Sequence, residues 1–318
     1  MTELKVSEAY EGSRLDRFLS KTTDIPRGAL QKLIRTGAVK LNGRKTAPSE
    51  KVSSGDLVSV NASDVFPRSV EFNDALPLPD VIYEDDIILA VNKPPFLASQ
   101  PYAGSTDCLS ERIKLYFRDE IIQNDASFIP GVLYRLDTNT IGIVLSAKTP
   151  QAARNMSALI ASGKLERVYT ALCLGELKKN IHVTNWAFSD SKNNKMILYD
   201  EPGEGRARME SVFSPIKTAD GYTLVSAKLI TGKKHQVRAQ LAKLGFPVVG
   251  DRKYGEGGNK GDGMISRQAL HCSLVSFTLW YDSSRLTIKC ELPEDMQKAL
   301  ELSGIGRYTL NDSLPQKA

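Results

Sequence analysis

Leu133-Tyr-Arg-Leu-Asp-Thr-Asn-Thr-Ile-Gly-Ile-Val-Leu145 reads as a polar loop closed by Gly142 and followed at once by a short apolar strand. A lone carboxylate, Asp137, stands in the loop between Arg135 and a Thr-Asn-Thr run, with apolar residues on both sides. Two roles suit an acid in that position. It holds Arg135 or caps a turn, or it is a reactive group on a rigid edge. The stretch by itself leaves both open.

Outward from this stretch the pattern is one of strands with a few helices. Val81-Ile-Tyr83 and Ile87–Val91 read as strands around a Glu84-Asp-Asp86 turn, ending at Asn92-Lys93-Pro94-Pro95. Residues 150–162 suit a helix with Ala153, Met156, Leu159 and Ile160 on one side. Val168–Leu174 and Tyr222–Ile230 read as strands, and Gln236 to Leu244 as a helix stopped by Gly245. Residues 178–207, polar and rich in Lys, Asn and Gly, predict a hairpin or an extended loop. Residues 255–263 carry five glycines but no dinucleotide-binding or P-loop register, and predict a mobile loop. The tail after Ser303 reads as polar and loosely held. Strict strand–helix alternation is missing, so the fold class expected is α+β with a mixed sheet.

Upstream, residues 1–60 form a separate unit. Ser13 is expected to cap a helix bearing Leu15, Phe18 and Leu19 on one face, and Pro26 to open a second that ends near Gly37. On that second helix Leu30, Leu33 and Ile34 fall together, while Arg27, Lys32 and Arg35 take another face. Asn42-Gly43 marks a tight hairpin turn and Gly55-Asp56 another. The whole chain has a net charge of +5, of which the first 60 residues carry +4 and the remaining 258 only +1. Cations concentrated in this way suit phosphate contacts without base readout, and Arg27, Lys32 and Arg35 are the candidate nucleic-acid contacts. The division expected is a basic module at 1–60, a Pro-broken linker at 61–79, a large domain at 80–302 and a tail at 303–318.

Several function classes are disfavoured. Apolar runs fall short of a membrane span. The start, Met1-Thr-Glu-Leu-Lys-Val-Ser-Glu8, has acids and no apolar stretch of a signal peptide, so a cytoplasmic protein is expected. The four cysteines (108, 173, 272, 290) lie far apart with no C-x-x-C pair, and the three histidines are equally scattered. Neither a disulfide frame nor a metal site is expected. No serine–histidine–aspartate set, catalytic carboxylate pair or nucleotide loop is readable. What remains is Asp137 with three polar stretches: Asn92-Lys-Pro94, Arg167-Val-Tyr169 and Thr231-Gly-Lys-Lys-His-Gln-Val-Arg238. A guanidinium near a carboxylate favours its anion, ready as nucleophile or base, and Arg238 is a candidate for that partner. A structural ion pair with a core tyrosine fits the same residues.

Two resemblances sharpen this reading. Gly12–Leu19, Gln31–Gly43 and Val52–Val58 resemble the small helix-loop RNA-binding module shared by a ribosomal small-subunit protein and several RNA-modifying enzymes. Arg135-Leu-Asp-Thr-Asn-Thr-Ile-Gly142 with Ala147-Lys-Thr149 looks like the signature of the RluA-type pseudouridine synthases. Asn92-Lys-Pro94, Val168-Tyr169, Gly232–Arg238, Gly245–Gly255 and Ala269-Leu-His271 match that family in order. The resemblance implies isomerisation of uridine within an RNA chain, without cofactor or metal, by a monomer. Carried over, Asp137 is the catalytic carboxylate, Tyr169 the catalytic-site ring packed on the target base and a candidate acid or base, Arg238 the cation paired with Asp137, and Arg135 an RNA contact. Lys93 stays open between phosphate contact and fold support, and His235 and His271 are expected to be structural hydrogen-bonding groups. Large-subunit ribosomal RNA is the favoured substrate. Transfer RNA, or a non-catalytic assembly factor that keeps the fold, are the alternatives. Tyr134, Ile141 and Phe96 stand where the family commonly has histidine, serine and glycine, and Lys233-Lys234 replace a commoner Arg-Thr pair.

Overall fold

The computed structural model describes residues 2–310 except 24, 26, 62–69, 103–104, 124–127 and 256–262, and of residues 27 and 28 only the backbone. Pro26, the Arg27 side chain and most of the glycine-rich 255–263 stretch therefore lie outside the described residues.

The N-terminal unit contains strand β1 (Thr2–Lys5), helices α1 (Leu15–Thr22) and α2 (Arg27–Thr36), and strands β2 (Val39–Leu41), β3 (Arg44–Lys45) and β4 (Leu57–Val60), in sheet order β1-β4-β2-β3. Leu15, Phe18, Leu19, Leu30 and Ile34 are fully buried and make, with the strand valines, a core of their own. The β2–β3 turn forms at Asn42-Gly43, both with positive φ (49° and 77°), as a two-residue hairpin requires. One expectation fails here. Arg14, not Ser13, precedes the first turn of α1, and no side chain caps it. The Ser13 carbonyl is instead taken by the Val52 N–H, which ties the helix start to the 50–52 segment.

The large unit runs β5 (Asp80–Glu84), β6 (Ile88–Lys93), α3 (Leu109–Tyr116), α4 (Arg118–Gln123), β7 (Ile141–Ala147), α5 (Pro150–Ala161), β8 (Glu166–Leu174), β9 (Ile181–Asp190), β10 (Lys195–Tyr199), β11 (Ala207–Ala219), β12 (Tyr222–Leu229), α6 (Gln236–Lys243), β13 (Leu270–Thr278), β14 (Arg285–Lys289) and α7 (Glu294–Leu302). The strands join one ten-stranded mixed sheet in the order β10-β9-β11-β12-β8-β13-β7-β6-β5, with β14 also on β13. The stretch 178–207 is a hairpin, β9–β10, and not a loop. Helix α5 starts as its sequence requires, with Thr149 Oγ1 accepting from the Ala152 N–H and Pro150 in the first turn.

The middle of the sheet is irregular, and the irregularity positions the site. β13 runs antiparallel to β8 but parallel to β7, and touches β7 only at His271–Ile141 and Cys272–Gly142. Its register against β8 shifts between Cys272 and Leu274, and beyond that point it pairs with β14. The Asp137 loop enters β7 at this parallel step. Every residue of β7 is buried, so the loop is anchored to a strand packed on both faces. Gly142 sits at φ +109°, and a Cβ there would lie 2.3 Å from the Cys272 carbonyl oxygen. Gly142→Ala is expected to destabilise the fold by roughly 2–3 kcal/mol or more through clash and strain. Chemical denaturation of the variant checks this, and an unchanged midpoint would contradict it.

The C-terminal segment corrects another expectation. Ile305, Tyr308 and Leu310 are buried in the main core, and Gln297 of α7 donates to the Tyr308 carbonyl (2.7 Å) and accepts from its N–H (3.1 Å). Three apolar side chains spaced along this short segment outweigh its polar neighbours. Residues 311–318 lie outside the described residues.

Candidate functional site

Helix α6 is built around polar side chains: Gln236, Arg238 and Gln240 are all buried on it. Such groups cost several kcal/mol if left unpaired, and each here is paired. Gln236 donates to the Glu210 carbonyl and Ser211 Oγ, and Gln240 accepts from Ser211 Oγ at 2.7 Å. Arg238 faces the Asp137 loop. Its Nη1 donates to Asp137 Oδ2 at 2.7 Å, while Nε and Nη2 hold Asp251 Oδ2 and Oδ1 at 2.6 and 2.8 Å.

The two carboxylates differ in kind. The Asp251 side chain is fully buried and also accepts from the Lys253 and Tyr254 N–H groups. The Asp137 side chain is 23% exposed. Asp251 fixes the guanidinium from the buried side, and the guanidinium fixes the part-exposed Asp137. Burial works against the charge on Arg238, but Asp251 and then Asp137 outweigh it and raise its pKa further.

The loop itself is fastened at three other points. Ser99 Oγ donates to the Leu136 carbonyl (2.9 Å) and accepts from the Leu136 N–H (3.1 Å). Gln268 Nε2 donates to Thr140 Oγ1 at 3.2 Å. Lys93 is completely buried, and its Nζ donates to the carbonyls of Pro94 (2.8 Å), Leu97 (2.8 Å) and Thr138 (2.9 Å). Burial pushes the Lys93 pKa down to about 7 against the opposing pull of Asp137. Three carbonyl acceptors match the three N–H groups of an ammonium. The Lys93 ammonium thereby ties the 94–97 turn to the Asp137 loop, its three N–H groups spent on main-chain carbonyls.

Tyr169, on β8 opposite Cys272, is nearly buried (5% exposed), and its phenol pKa is pushed well up by that burial. Asp137 is close enough to act on it electrostatically. Tyr134 is buried and donates to the Ile143 carbonyl at 3.0 Å, with Arg167 over its ring at 5.2 Å. His235 Nδ1 shares a hydrogen bond with Tyr254 Oη (2.9 Å), and its Nε2 is 3.9 Å from Asp137 Oδ2. Burial lowers its pKa to about 4 against the opposing pull of Asp137. His271 departs from expectation: it is buried with neither ring nitrogen hydrogen-bonded, and burial lowers its pKa to about 3. It packs in the sheet and does not hold the site.

Four groups here escaped the sequence reading: Asp251, Tyr254, Lys195 and Lys253. Tyr254 Oη accepts from the Met196 N–H at 2.7 Å, and its ring lies near the guanidinium of Arg238 (5.3 Å) and the ammonium of Lys195 (5.9 Å). Lys253 donates to the Asn194 carbonyl at 2.8 Å, and Lys234 to the Asn194 side chain. The tip of the β9–β10 hairpin is thereby drawn to the rim of the site by cations. A signal for Asp251 did exist, since a buried arginine has five N–H groups and one aspartate cannot satisfy them. Arg135 is exposed in the loop, and Lys32 and Arg35 are exposed on α2. The site thus brings together Asp137 and Arg238, with Tyr169 in electrostatic range. Among the described residues no cluster of three or more His, Cys, Asp or Glu is arranged to hold a metal ion.

Comparison with known proteins bears on this arrangement. Residues 87–243 match the RNA pseudouridylate synthase family, and residues 13–58 match the S4 domain. An Aquifex aeolicus protein named an uncharacterized RNA pseudouridine synthase is 30% identical over 262 residues, covering 79% of this chain and 82% of its own. The chain belongs to the RNA pseudouridine synthases. The synthase is also 26% identical to the ribosomal large subunit pseudouridine synthase C of Vibrio vulnificus, over 93% of this chain and 94% of that one. It is 28% identical to the ribosomal large subunit pseudouridine synthase D of Zymomonas mobilis, over 93% and 95%. The solved human RNA pseudouridylate synthase domain containing 1 shares its fold, with a TM-score of 0.57 and 21% identity over 76% of this synthase and 93% of that chain. The synthase thus joins an S4 RNA-binding module to an α+β isomerase domain.

Proposed function

We propose that this synthase isomerises uridines in large-subunit ribosomal RNA, with Asp137 as the reacting carboxylate. The observation that carries the reading is the Asp251–Arg238–Asp137 chain, which presents one part-exposed carboxylate oxygen pair on a rigid buried support. The names of the Vibrio and Zymomonas relatives favour ribosomal RNA as the substrate.

In this mechanism the target uridine leaves its stack and lies on the ring of Tyr169, at a cost of a few kcal/mol in lost stacking. Exposed Arg135 fills the place it vacates. Asp137 acts at the ribose while the N1–C1′ bond breaks. The uracil turns, a C5–C1′ bond forms, C5 gives its proton to water and N1 regains one. Atoms and redox state balance, and no external group is consumed. Tyr169, held as a phenol, supplies packing and is a poor base. Arg238 keeps the carboxylate aimed and its charge balanced.

Residues 1–60, through Lys32, Arg35 and Arg27, grip RNA phosphates, and 61–79 link them to the catalytic domain that starts at residue 80 and whose core extends through Leu310. In this reading the enzyme acts as a monomer. We place its action in the cytoplasm, where the favoured ribosomal RNA substrate would be met; no helix among the described residues is long and apolar enough to cross a membrane.

The test is release of tritium from carbon-5 of labelled uridine, measured separately on ribosomal and transfer RNA. Release from the ribosomal fraction is expected. Release from transfer RNA alone would overturn the proposed substrate, and none from either would leave a binding protein. Deleting residues 1–60 is expected to weaken RNA binding and flatten the plot of log K against log salt by about 0.7 for each phosphate that the module neutralises. An unchanged slope in a salt titration would mean that the module does not grip RNA.

A further inference from the structure

Phe96 combines two features that the packing of the fold does not require. Its backbone is in the left-handed region at φ +62°, where glycine is at ease and a bulky side chain is rare. Its side chain is also turned outward, leaving the residue 62% exposed. Burial therefore does not compensate the strain. Strain of this kind persists only where the surroundings hold it, and it concentrates at functional sites.

The surroundings do hold it. The carbonyls of Pro94 and Leu97, on either side of the Pro95-Phe96 pair, both accept from the buried Lys93 ammonium. The same ammonium holds the carbonyl of Thr138, next to Asp137. Two residues past Leu97, Ser99 exchanges a pair of hydrogen bonds with Leu136 on the other side of Asp137. The turn that presents Phe96 is thus laced to the catalytic loop before and after the carboxylate. An exposed ring is fixed in place relative to Asp137, on a turn tied to the loop that also exposes Arg135.

We infer that Phe96 is a substrate-positioning residue whose ring stacks on an unpaired base of the RNA close to the target uridine. When that uridine leaves its stack, its neighbours lose a stacking face, and an aromatic ring replaces it without regard to base identity. Arg135, exposed on the loop to which the turn is tied, suits a polyanion better than an apolar partner. The inference rests on the reading of Asp137 as the reacting group.

The experiment compares Phe96→Gly, Phe96→Leu and Phe96→Trp in the full-length chain by single-turnover tritium release. The RNA is total RNA labelled at uridine carbon-5, from cells lacking the gene. Glycine relieves the strain and leucine keeps the apolar bulk, but both remove the π face. Each is expected to raise the enzyme concentration for half-maximal rate by about 5- to 100-fold, more than it lowers the saturating rate. Phe96→Trp is expected to keep the parental half-saturation, with its added fluorescence quenched by the same RNA. The melting temperature of Phe96→Gly should be no lower than that of the parent. Parental half-saturation in Phe96→Leu, or a tryptophan variant as weak as the glycine one, overturns the inference. Binding of the same RNA to Asp137→Asn with and without Phe96→Leu reads stacking without turnover. Equal binding there overturns the stacking alone, whereas full turnover by Asp137→Asn overturns the reading on which it rests.

Discussion

Asp137→Asn is expected to reduce tritium release by at least about 1,000-fold, the scale of losing a reacting side chain, while the protein remains folded. The amide has the shape of the carboxylate, and its carbonyl oxygen can still accept from Arg238 Nη1. Arg238 keeps its two-pronged bond to buried Asp251, so no charge is stranded inside the protein. The loop also keeps its ties to Lys93, Ser99 and Gln268. The stability cost should therefore be that of weakening one charge-assisted hydrogen bond at a part-exposed site, about 1–2 kcal/mol. Tritium release and a thermal melt on the same preparation check the two halves. A variant that keeps activity within about tenfold of the parent would sink the assignment of Asp137. A variant that loses both activity and fold would mean that the carboxylate is structural.

What the sequence made legible follows the range of the interactions involved. The β7 strand, the Asn42-Gly43 turn and the Thr149-Pro150 helix start are local, since each is decided by residues within a few positions of one another. Gly142 was legible as a stop, but its reason was not. That reason is the carbonyl of Cys272, 130 positions along the chain and brought close by the parallel step. Arg238 and Asp137 are 101 residues apart, and residue chemistry alone left their pairing undecided between structure and catalysis. The resemblance to the synthases, not periodicity, named them. Lys93 shows the same limit from the other side. In the sequence it stays open between phosphate contact and fold support, and only the structure shows three carbonyls converging on its ammonium. Asp251 was hidden inside a turn-like Gly250-Asp-Arg-Lys-Tyr-Gly255 run, because nothing local says that its acceptor oxygens point inward.

That hidden residue should give the largest loss of stability. Asp251→Ala removes the buried partner of a guanidinium whose side chain is only 7% exposed, and stranding such a charge costs roughly 3–5 kcal/mol. For a protein of this size the melting temperature should fall on the order of 6–20 °C. Activity should fall as well, because Arg238 loses the fork that aims its Nη1 at Asp137. The pair of variants is diagnostic: Asp137→Asn loses chemistry and keeps the fold, whereas Asp251→Ala loses both. The deficit should also depend on pH. Burial pushes the Asp251 carboxyl up, but the Arg238 hydrogen bonds and charge, with the Lys253 and Tyr254 N–H groups, outweigh it and hold the pKa below its ordinary value. A depressed pKa means that the stabilisation is complete above the unfolded-state value of about 3.9 and is lost as pH falls through the folded-state value. The gap between parent and Asp251→Ala melting temperatures should therefore be full at about pH 7 and narrow in acid below pH ~4. Melts across that range check it. A gap that stays constant into strong acid would mean that Asp251 stabilises by packing, with Arg238 balanced by some other group.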